Sequence, residues 1–199
     1  MYLWRRLTPS QRAELLHFRQ KQQRPWHRPP HFRSEEIRHY HIAAACYNHQ
    51  PHIGRDPQRL DDFTDSLLTL LPEEPAAWCI LPNHYHLLIR TDDLKFLLKE
   101  LSRHHGRTSF RWNADDQTRG RKVWHGISDR RLRSSGHFWA TLNYIHHNPV
   151  HHGYVEKWTD WPWSSAASYL TELGRENAEQ IWRTHPLGHY GQKWDDPKL

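Results

Sequence analysis

"AAWCILPNHYHLLIR", Ala76 to Arg90, contains two apolar runs separated by the dipeptide Pro82-Asn83. Proline and asparagine both favour tight turns, so the two runs are predicted to pair as the strands of a β-hairpin. Alternation along the second strand places His84 and His86 on one face and Tyr85 on the other. The hairpin therefore sets two imidazoles side by side in an otherwise apolar sheet.

The segments around this hairpin alternate between strand and helix patterns. Strands are predicted at "RHYHIAAACY" (38–47) and "VWHGISDRRLR" (123–133), and helices at 57–71, from Leu94 onward, and at "FWATLNYIHHN" (138–148). The resulting order, β-α-β-β-α-β-α, predicts an α+β fold: a ferredoxin-like antiparallel β-sheet with helices packed on one face.

The ends of the chain have a different composition. Residues 1–35 are predicted to form an N-terminal helix followed by a basic, proline-rich linker, "RPWHRPPHFR". Residues 36–170 would form the main domain, and 171–199 a C-terminal tail with one short helix near Ala178 to Arg183. A chain of 199 residues is long enough for one such domain with its own core.

Composition points to a polyanionic partner. The formal net charge is +6, the pI is near 9.5, and 11 tryptophans concentrate the apolar mass in large rings. These values favour nucleic acid as the partner. Cys46 and Cys79 have no CxxC spacing, and no apolar run is long enough to cross a membrane. We therefore expect reduced thiols, no membrane partner and a cytoplasmic, nucleoid-associated protein.

The His84 and His86 pair allows two interpretations. Two neighbouring imidazoles can chelate a metal ion, yet with 19 histidines in the chain such a spacing also arises by chance. A second pair, His39 and His41, opens its strand beside Arg38, where water can hydrogen-bond to the rings. Burial is more costly for His84 and His86, because the apolar run "LLI" (87–89) follows them directly. Residue chemistry alone leaves a metal site and structural histidines about equally supported.

The helix at 138–148 could complete a site. Thr141, Tyr144 and Asn148 share one of its faces, and Pro149 predicts that it ends at Asn148. By itself, the spacing of Tyr144 and Asn148 is more typical of an amphipathic helix than of a catalytic pair.

Three segments in combination resemble the REP-associated tyrosine transposases, a branch of the single-tyrosine HUH nuclease superfamily. They are "LPNHYHLLIR" (81–90), "DRRLRSSGHFWATLNYIHHNPVHHGYV" (129–155) and "WTDWPWSSAASY" (158–169), and the resemblance covers about residues 38–170.

The resemblance implies an enzyme that cleaves and rejoins single-stranded or hairpin DNA. Tyr144 would be the nucleophile and form a 5'-phosphotyrosine intermediate. His84, His86 and Asn148 would hold Mg²⁺ or Mn²⁺, a Lewis acid that makes the phosphate more reactive towards a weakly nucleophilic phenol. His39 and His41 lie outside the family pattern. The protein would act as a monomer or a homodimer.

Basic and aromatic residues supply candidates for DNA contact. Arg130, Arg131 and Arg133 could bind phosphates, as could the linker residues Arg24, Arg28 and Arg33, although a solvated basic surface is as well supported for each. Trp158, Trp161 and Trp163 could stack on bases, but covering a core is the commoner role of such rings.

Two alternatives to a tyrosine transposase remain. One is a domesticated DNA- or RNA-binding protein without cleavage activity, and the other is a metal-dependent phosphodiesterase that uses water. A covalent protein–DNA adduct separates the transposase from both.

Overall fold

A computed structural model describes residues 38–188 and Tyr190, with Thr8 and Ser10 the only others. The described residues from 38 onward belong to one compact unit. The helix and linker predicted for 1–35, including Arg24, Arg28 and Arg33, lie outside this part of the chain apart from Thr8 and Ser10. The predicted domain boundaries at 36 and 170 stay predictions.

The sheet has four antiparallel strands in the order β2-β3-β1-β4. The strands are β1 (Arg38–Cys46), β2 (Ala77–Ile80), β3 (His84–Thr91) and β4 (Trp124–Arg131). β2 and β3 form the predicted hairpin, in a register that pairs Ala77 with Leu88 and Ile80 with Tyr85. β3 and β1 occupy the centre of the sheet, so residues on these two strands are the most deeply buried.

The hairpin turn is held by a neighbouring loop. The backbone N–H groups of Ile53 and Gly54 both donate to the carbonyl oxygen of Pro82, each at 3.0 Å. A Cβ atom at Gly54 would lie only 2.5 Å from the Cβ of Pro82, so this close approach requires glycine. The start of β3, and with it His84, is thereby fixed in position.

Two helices cover the first face of the sheet. They are α1 (Pro57–Thr69), whose N-cap Asp56 accepts a hydrogen bond from the backbone of Arg59, and α2 (Leu94–Asp115), capped by Asp93. Their apolar residues pack with Ile42, Tyr85 and the other side chains that alternate onto this face. This is the helix-covered face that a ferredoxin-like fold predicts.

The opposite face is covered by α3 (Ser135–His151), which is capped by Ser134. Leu142 and Ile145 of this helix pack with Cys79 and Leu88 of the sheet. The predicted α+β, ferredoxin-like fold is confirmed, with the difference that helices lie on both faces. β3 shows why: its residues 84–89 are all buried, because both of its faces are covered.

Two short helices follow, α4 (Ala166–Leu173) and α5 (Arg175–Thr184), and α5 contains the helix predicted for the tail. Cys46 and Cys79 are buried free thiols, as predicted. Among the described helices, none combines the length and the apolar character that a membrane crossing requires.

The predicted end of α3 at Asn148 is wrong. The helix runs through Pro149 to His151, because proline removes only its own N–H donor while the carbonyl of Asn148 still accepts from the backbone of His152 at 3.0 Å. The helix ends before Gly153, whose φ of 73° is in the left-handed region. Asn148 therefore lies inside the last turn, where the helix backbone fixes its direction.

Candidate active site

His84 lies at the centre of a group of polar side chains between the sheet and α3. It is buried, and its Nε2 atom is 3.1 Å from the Oδ1 atom of Asn148, which is also buried. Its Nδ1 atom is 2.7 Å from Oδ1 of Asn83. The imidazole thus bridges the hairpin turn and the last turn of α3.

Asn83 is itself held in one orientation. Its side-chain N–H donates to the carbonyl oxygen of His49 at 3.2 Å, so its Oδ1 atom faces His84. Asn48 and His49 both have positive φ angles, 54° and 53°, in the short 3₁₀ turn Tyr47–His49. Such left-handed conformations are costly in residues other than glycine and are often found at functional sites. Here the strained turn supports the residue that orients His84.

The second histidine of the pair, His86, has a partner on the neighbouring strand. Nδ1 of His86 is 3.1 Å from Nε2 of His41 on β1. The ring centroids of His84 and His86 are 5.1 Å apart. All three imidazoles are buried on the face of the sheet that α3 covers.

Tyr144 projects from α3 towards this group. Its ring centroid is 5.3 Å from that of His86 and 6.0 Å from that of His41. Asn148 follows one turn later on the same helix, so a single helix supplies both the phenol and the amide. The predicted residues Tyr144, His84, His86 and Asn148 are thus brought together.

Tyr190 covers the nucleophile candidate. The ring centroids of Tyr144 and Tyr190 are 5.7 Å apart, and the Tyr190 hydroxyl is 2.5 Å from Oγ1 of Thr141. Burial raises the pKa of Tyr190, so it remains a neutral phenol. Only 5% of Tyr144 is exposed, and Tyr190 is one of the rings packed against it.

The hydrogen bonds of His84 show whether a cation fits between His84 and Asn148. With Asn83 Oδ1 as acceptor, the ring proton is on Nδ1, which leaves a lone pair on Nε2 facing the Asn148 oxygen. Two acceptor atoms 3.1 Å apart are stabilised by a positive charge between them, either a second ring proton or a metal ion; without such a charge, rotation of the Asn148 amide by half a turn would let its Nδ2 donate to Nε2. In addition, the buried Nδ2 atom of Asn148 has no hydrogen-bond partner among the described residues.

The donor set suits a divalent ion with mixed nitrogen and oxygen ligands. Two imidazoles and one amide oxygen are compatible with Mn²⁺, and with Mg²⁺ if water and phosphate supply further oxygens. Within the part of the chain that the structure describes, no three His, Cys, Asp or Glu side chains form a metal-binding cluster. A metal bound by His84 and His86 could take a third protein ligand from the amide oxygen of Asn148.

The arginines predicted to contact DNA lie at the end of β4 and just beyond it. Arg130, Arg131 and Arg133 are all exposed. Arg130 pairs across the sheet with His41, whereas Arg131 pairs with Tyr40, whose side chain is in the first core. Directly paired residues share a face, so Arg130 lies on the Tyr144 side and Arg131 on the other. Burial, together with the charges of Arg130 and Arg133, lowers the pKa of His137 on α3.

Sequence reasoning missed His41. Its predicted environment, solvated at a strand entrance, is wrong: it is buried and contacts His86. His39 is only partly buried and packs edge-on against Phe138, with ring centroids 4.9 Å apart. His41 could have been found from the antiparallel register of β1 and β3. In this register His41 pairs with Leu88 and is the diagonal neighbour of His86.

The tryptophans after α3 have different roles. The indole N–H of Trp161 donates to the Ile80 carbonyl at 2.8 Å, and that of Trp163 to Asp61 at 2.7 Å. Both rings pack against the first core, as expected of core-covering side chains. Trp158 instead lines a cavity beside α3.

Comparisons with known proteins show similarity to REP-associated tyrosine transposases. A protein of Haemophilus influenzae named as a REP-associated tyrosine transposase is 35% identical over 125 residues, which are 58% of this chain and 69% of that protein. A solved structure of a REP-associated tyrosine transposase bound to a REP hairpin superimposes with a TM-score of 0.54 at 19% identity, covering 75% of this chain and 90% of the other. The similarity to this solved structure shows a shared fold. No family model matches the chain.

Proposed function

Since the chain belongs to the REP-associated tyrosine transposase family, whose members are DNA transposases, we propose that it cleaves and rejoins single-stranded DNA through Tyr144. The observation that carries this proposal is the convergence of Tyr144 and Asn148, one turn apart on α3, with His84 and His86 of β3. The helix provides the nucleophile and one proposed ligand, and the strand provides the two imidazoles, so the proposed ion site needs both elements.

The proposed reaction starts with in-line attack of the Tyr144 phenolic oxygen on a DNA phosphate. A bond forms between this oxygen and phosphorus, and the bond from phosphorus to the 3'-oxygen breaks. The phenolic proton is lost, and the departing 3'-oxygen takes up a proton. The products are a 5'-phosphotyrosine and a free 3'-hydroxyl. Because the adduct is still a phosphodiester, another 3'-hydroxyl can reverse the step and rejoin DNA.

His84, His86 and Asn148 would hold Mg²⁺ or Mn²⁺ beside Tyr144. A bound divalent ion supplies Lewis acidity, which stabilises negative charge on the phosphate. The chain's own contribution is orientation: Asn83 directs Nε2 of His84 towards Asn148, and His41 bonds to Nδ1 of His86. Hydrogen bonds of this kind to the far ring nitrogen fix the tautomer of a metal-binding histidine.

The proposed substrate is a DNA hairpin with unpaired flanks, and the reaction takes place in the cytoplasm. A buried phenol on a helix reaches the phosphate of a flexible strand more readily than one in a rigid duplex, and a hairpin fixes the register. Arg130 and Arg133 would bind neighbouring phosphates, so affinity should fall steeply with added salt. Equal affinity for a random duplex and a repeat-derived hairpin at physiological salt would eliminate this substrate.

A covalent adduct tests the proposal directly. The protein is incubated with Mn²⁺ and a hairpin oligonucleotide labelled on either side of the cleaved bond, then denatured. We expect the label on the 5'-phosphate fragment to remain attached, and digestion with mass spectrometry to place it on the peptide containing Tyr144. Cleavage without an adduct would identify a water-using phosphodiesterase, and binding without cleavage a domesticated nucleic-acid-binding protein. An adduct on Tyr47, Tyr85 or Tyr154 would assign a different nucleophile.

A further inference from the structure

A cavity of about 700 Å³ lies beside α3, and its lining does not include the residues of the candidate active site. Asn143, His146 and His147 of α3 form part of its lining. At about 100° per residue, Asn143 and His146 point about 100° and 160° away from Tyr144, whereas His147 points only about 60° away from it. The remaining walls come from residues 156–159, α4 and α5. One helix therefore contributes side chains to the active site and, from an adjoining face, to this cavity.

Aromatic rings form much of the cavity wall. His146 stacks on Trp158, with ring centroids 5.8 Å apart and an angle of 24° between the planes. The ring centroid of Tyr169 is 4.9 Å from that of His146, and Trp182 lies 5.4 Å from His147. Trp182 is 39% exposed, an unusual position for so large an apolar ring. Flat walls of this kind suit a flat, π-faced ligand.

Two polar atoms of the cavity lining have no hydrogen-bond partner within the described part of the chain. His146 is only 2% exposed, and its Nε2 atom is 2.9 Å from Oγ of Ser165, but its Nδ1 atom is unpaired. The buried hydroxyl of Tyr169 is unpaired as well. Burial lowers the pKa of His146 to about 3, so the ring is neutral at physiological pH. Unpaired buried polar groups are costly, and a small rotation of these side chains towards a ligand with hydrogen-bonding edges would remove that cost.

The charges of the lining favour a neutral ring over a free anion. Lys157, Arg175 and Arg183 are opposed by Glu156 and Glu179, and Arg183 is 3.2 Å from Glu179. This leaves one more cation than anion, which is compatible with a single backbone phosphate attached to the ligand. A site for a phosphate alone would instead collect several arginines or backbone N–H groups.

We propose that this cavity binds one unpaired base of the DNA strand on which Tyr144 acts, stacked between Trp158 and Trp182. The base has the required properties: a flat π-system, hydrogen-bonding edges and a linked phosphate. This inference rests on the proposed function, because the occupant is part of the same DNA. A base held in this cavity would fix which phosphate of the strand lies at Tyr144. The cavity would therefore contribute to the choice of the cleaved bond.

An abasic scan tests the proposal. A hairpin oligonucleotide with single-stranded flanks is prepared with one flanking base removed at a time, and its affinity for the Tyr144→Phe protein is measured so that the DNA stays intact. We expect one position at which base removal weakens binding by about 5- to 150-fold, the range for loss of one stacked base. In the Tyr144→Phe, Trp182→Leu double variant the intact DNA should bind correspondingly less tightly, and removal of that same base should have little further effect.

The controls separate a stacking role from general weakening. Trp182→Phe retains a ring and should restore most of the affinity. Phe96→Leu removes an aromatic ring that is 59% exposed on α2, and should leave the scan unchanged. With 5-iododeoxyuridine at the sensitive position, ultraviolet cross-linking should label the peptide of Trp158 or of Trp182.

Two results would overturn the base site. One is a flank in which no position responds, and the other is a sensitive position that responds equally in the Trp182→Leu variant. The wild-type adduct assay keeps the two proposals apart. An adduct without a sensitive base refutes only the base site, whereas a sensitive base without an adduct refutes only the cleavage reaction.

Discussion

Nε2 of His41 lies 3.1 Å from Nδ1 of His86, so a histidine of β1 holds the ring of the metal-ligand candidate on β3. Because this contact occupies Nδ1, the nitrogen of His86 that we propose as the metal ligand is Nε2. Loss of a hydrogen bond that orients a metal-binding histidine typically lowers metal affinity or activity by about 10- to 100-fold. We therefore expect His41→Ala to weaken Mn²⁺ binding and to slow hairpin cleavage, each by about 10- to 100-fold. Calorimetry measures the Mn²⁺ affinity.

His39 provides the matched control for this prediction. It lies two residues away on the same strand and faces the same side, but it packs against Phe138 rather than His86. His39→Ala should retain Mn²⁺ affinity and most of the activity, and His41→Gln, which keeps a hydrogen-bonding group, should recover part of both. Equal losses in the His39 and His41 variants would show that the effect is not due to orientation of His86.

Tyr144→Phe separates binding from chemistry. The change removes only the phenolic oxygen, so the ring contacts with His86 and Tyr190 remain and stability should change by about 1 kcal/mol or less. Hairpin affinity, measured by fluorescence anisotropy, should stay within about fivefold, which corresponds to about 1 kcal/mol. Cleavage should be undetectable. A Tyr144→Phe protein that still forms an adduct would require another nucleophile.

The metal-ligand set can be examined without DNA. His84→Ala and Asn148→Ala each remove one proposed ligand from a pair of atoms 3.1 Å apart. Each should lower Mn²⁺ affinity by about tenfold or more, while circular dichroism retains the folded spectrum. His151→Ala, an exposed histidine in the last turn of α3, serves as control. Unchanged Mn²⁺ affinity in all three variants would favour a second ring proton on His84 as the positive charge between Nε2 of His84 and Oδ1 of Asn148.

Arg130 and Arg131 are neighbours in sequence but face opposite sides of the sheet. Arg130→Ala should weaken hairpin binding and make the plot of log affinity against log salt shallower by about 0.7 to 0.9, as expected for one lost phosphate contact. Arg131→Ala, which removes the same charge from the other face, should change the slope much less. The comparison is made by titrations at several salt concentrations. A larger effect for Arg131 would place the DNA on the α1–α2 side.

Asp116 is predicted to control stability at acidic pH. Its buried carboxylate accepts hydrogen bonds from Arg59 at 2.6 and 3.1 Å and from Arg121 at 2.7 Å, and it also pairs with Arg55. The hydrogen bonds from Arg59 hold the pKa of Asp116 well below its usual 3.8. A depressed pKa in the folded state stabilises the protein above about pH 4, and this contribution is lost as the pH falls further.

Asp116→Asn should therefore lower the free energy of unfolding at pH 7 by about 3 kcal/mol, because Arg59 would keep a buried charge without its carboxylate. Urea denaturation at a series of pH values measures the effect. The difference between wild type and variant should shrink as the pH falls below about 4. A difference that stays constant with pH would assign the loss to packing rather than to the ion pairs.

Local sequence patterns determined the secondary structure and part of the site. The Pro82-Asn83 turn and the flanking apolar runs defined the hairpin, and strand alternation put His84 and His86 on one face. Helical periodicity put Tyr144 and Asn148 one turn apart. These relationships involve residues close together in sequence, where backbone geometry alone sets the directions of the side chains.

Tertiary structure decided which of these faces meet and what else joins them. His41 and His86 are 45 residues apart, and only the register of β1 against β3 brings them into contact. The cavity wall combines Trp158 with Trp182, which have no shared local pattern. The continuation of α3 past Pro149 also depended on context, because surrounding contacts offset the loss of one backbone hydrogen bond. Such outcomes follow from packing energies summed over distant segments, which a local pattern does not contain.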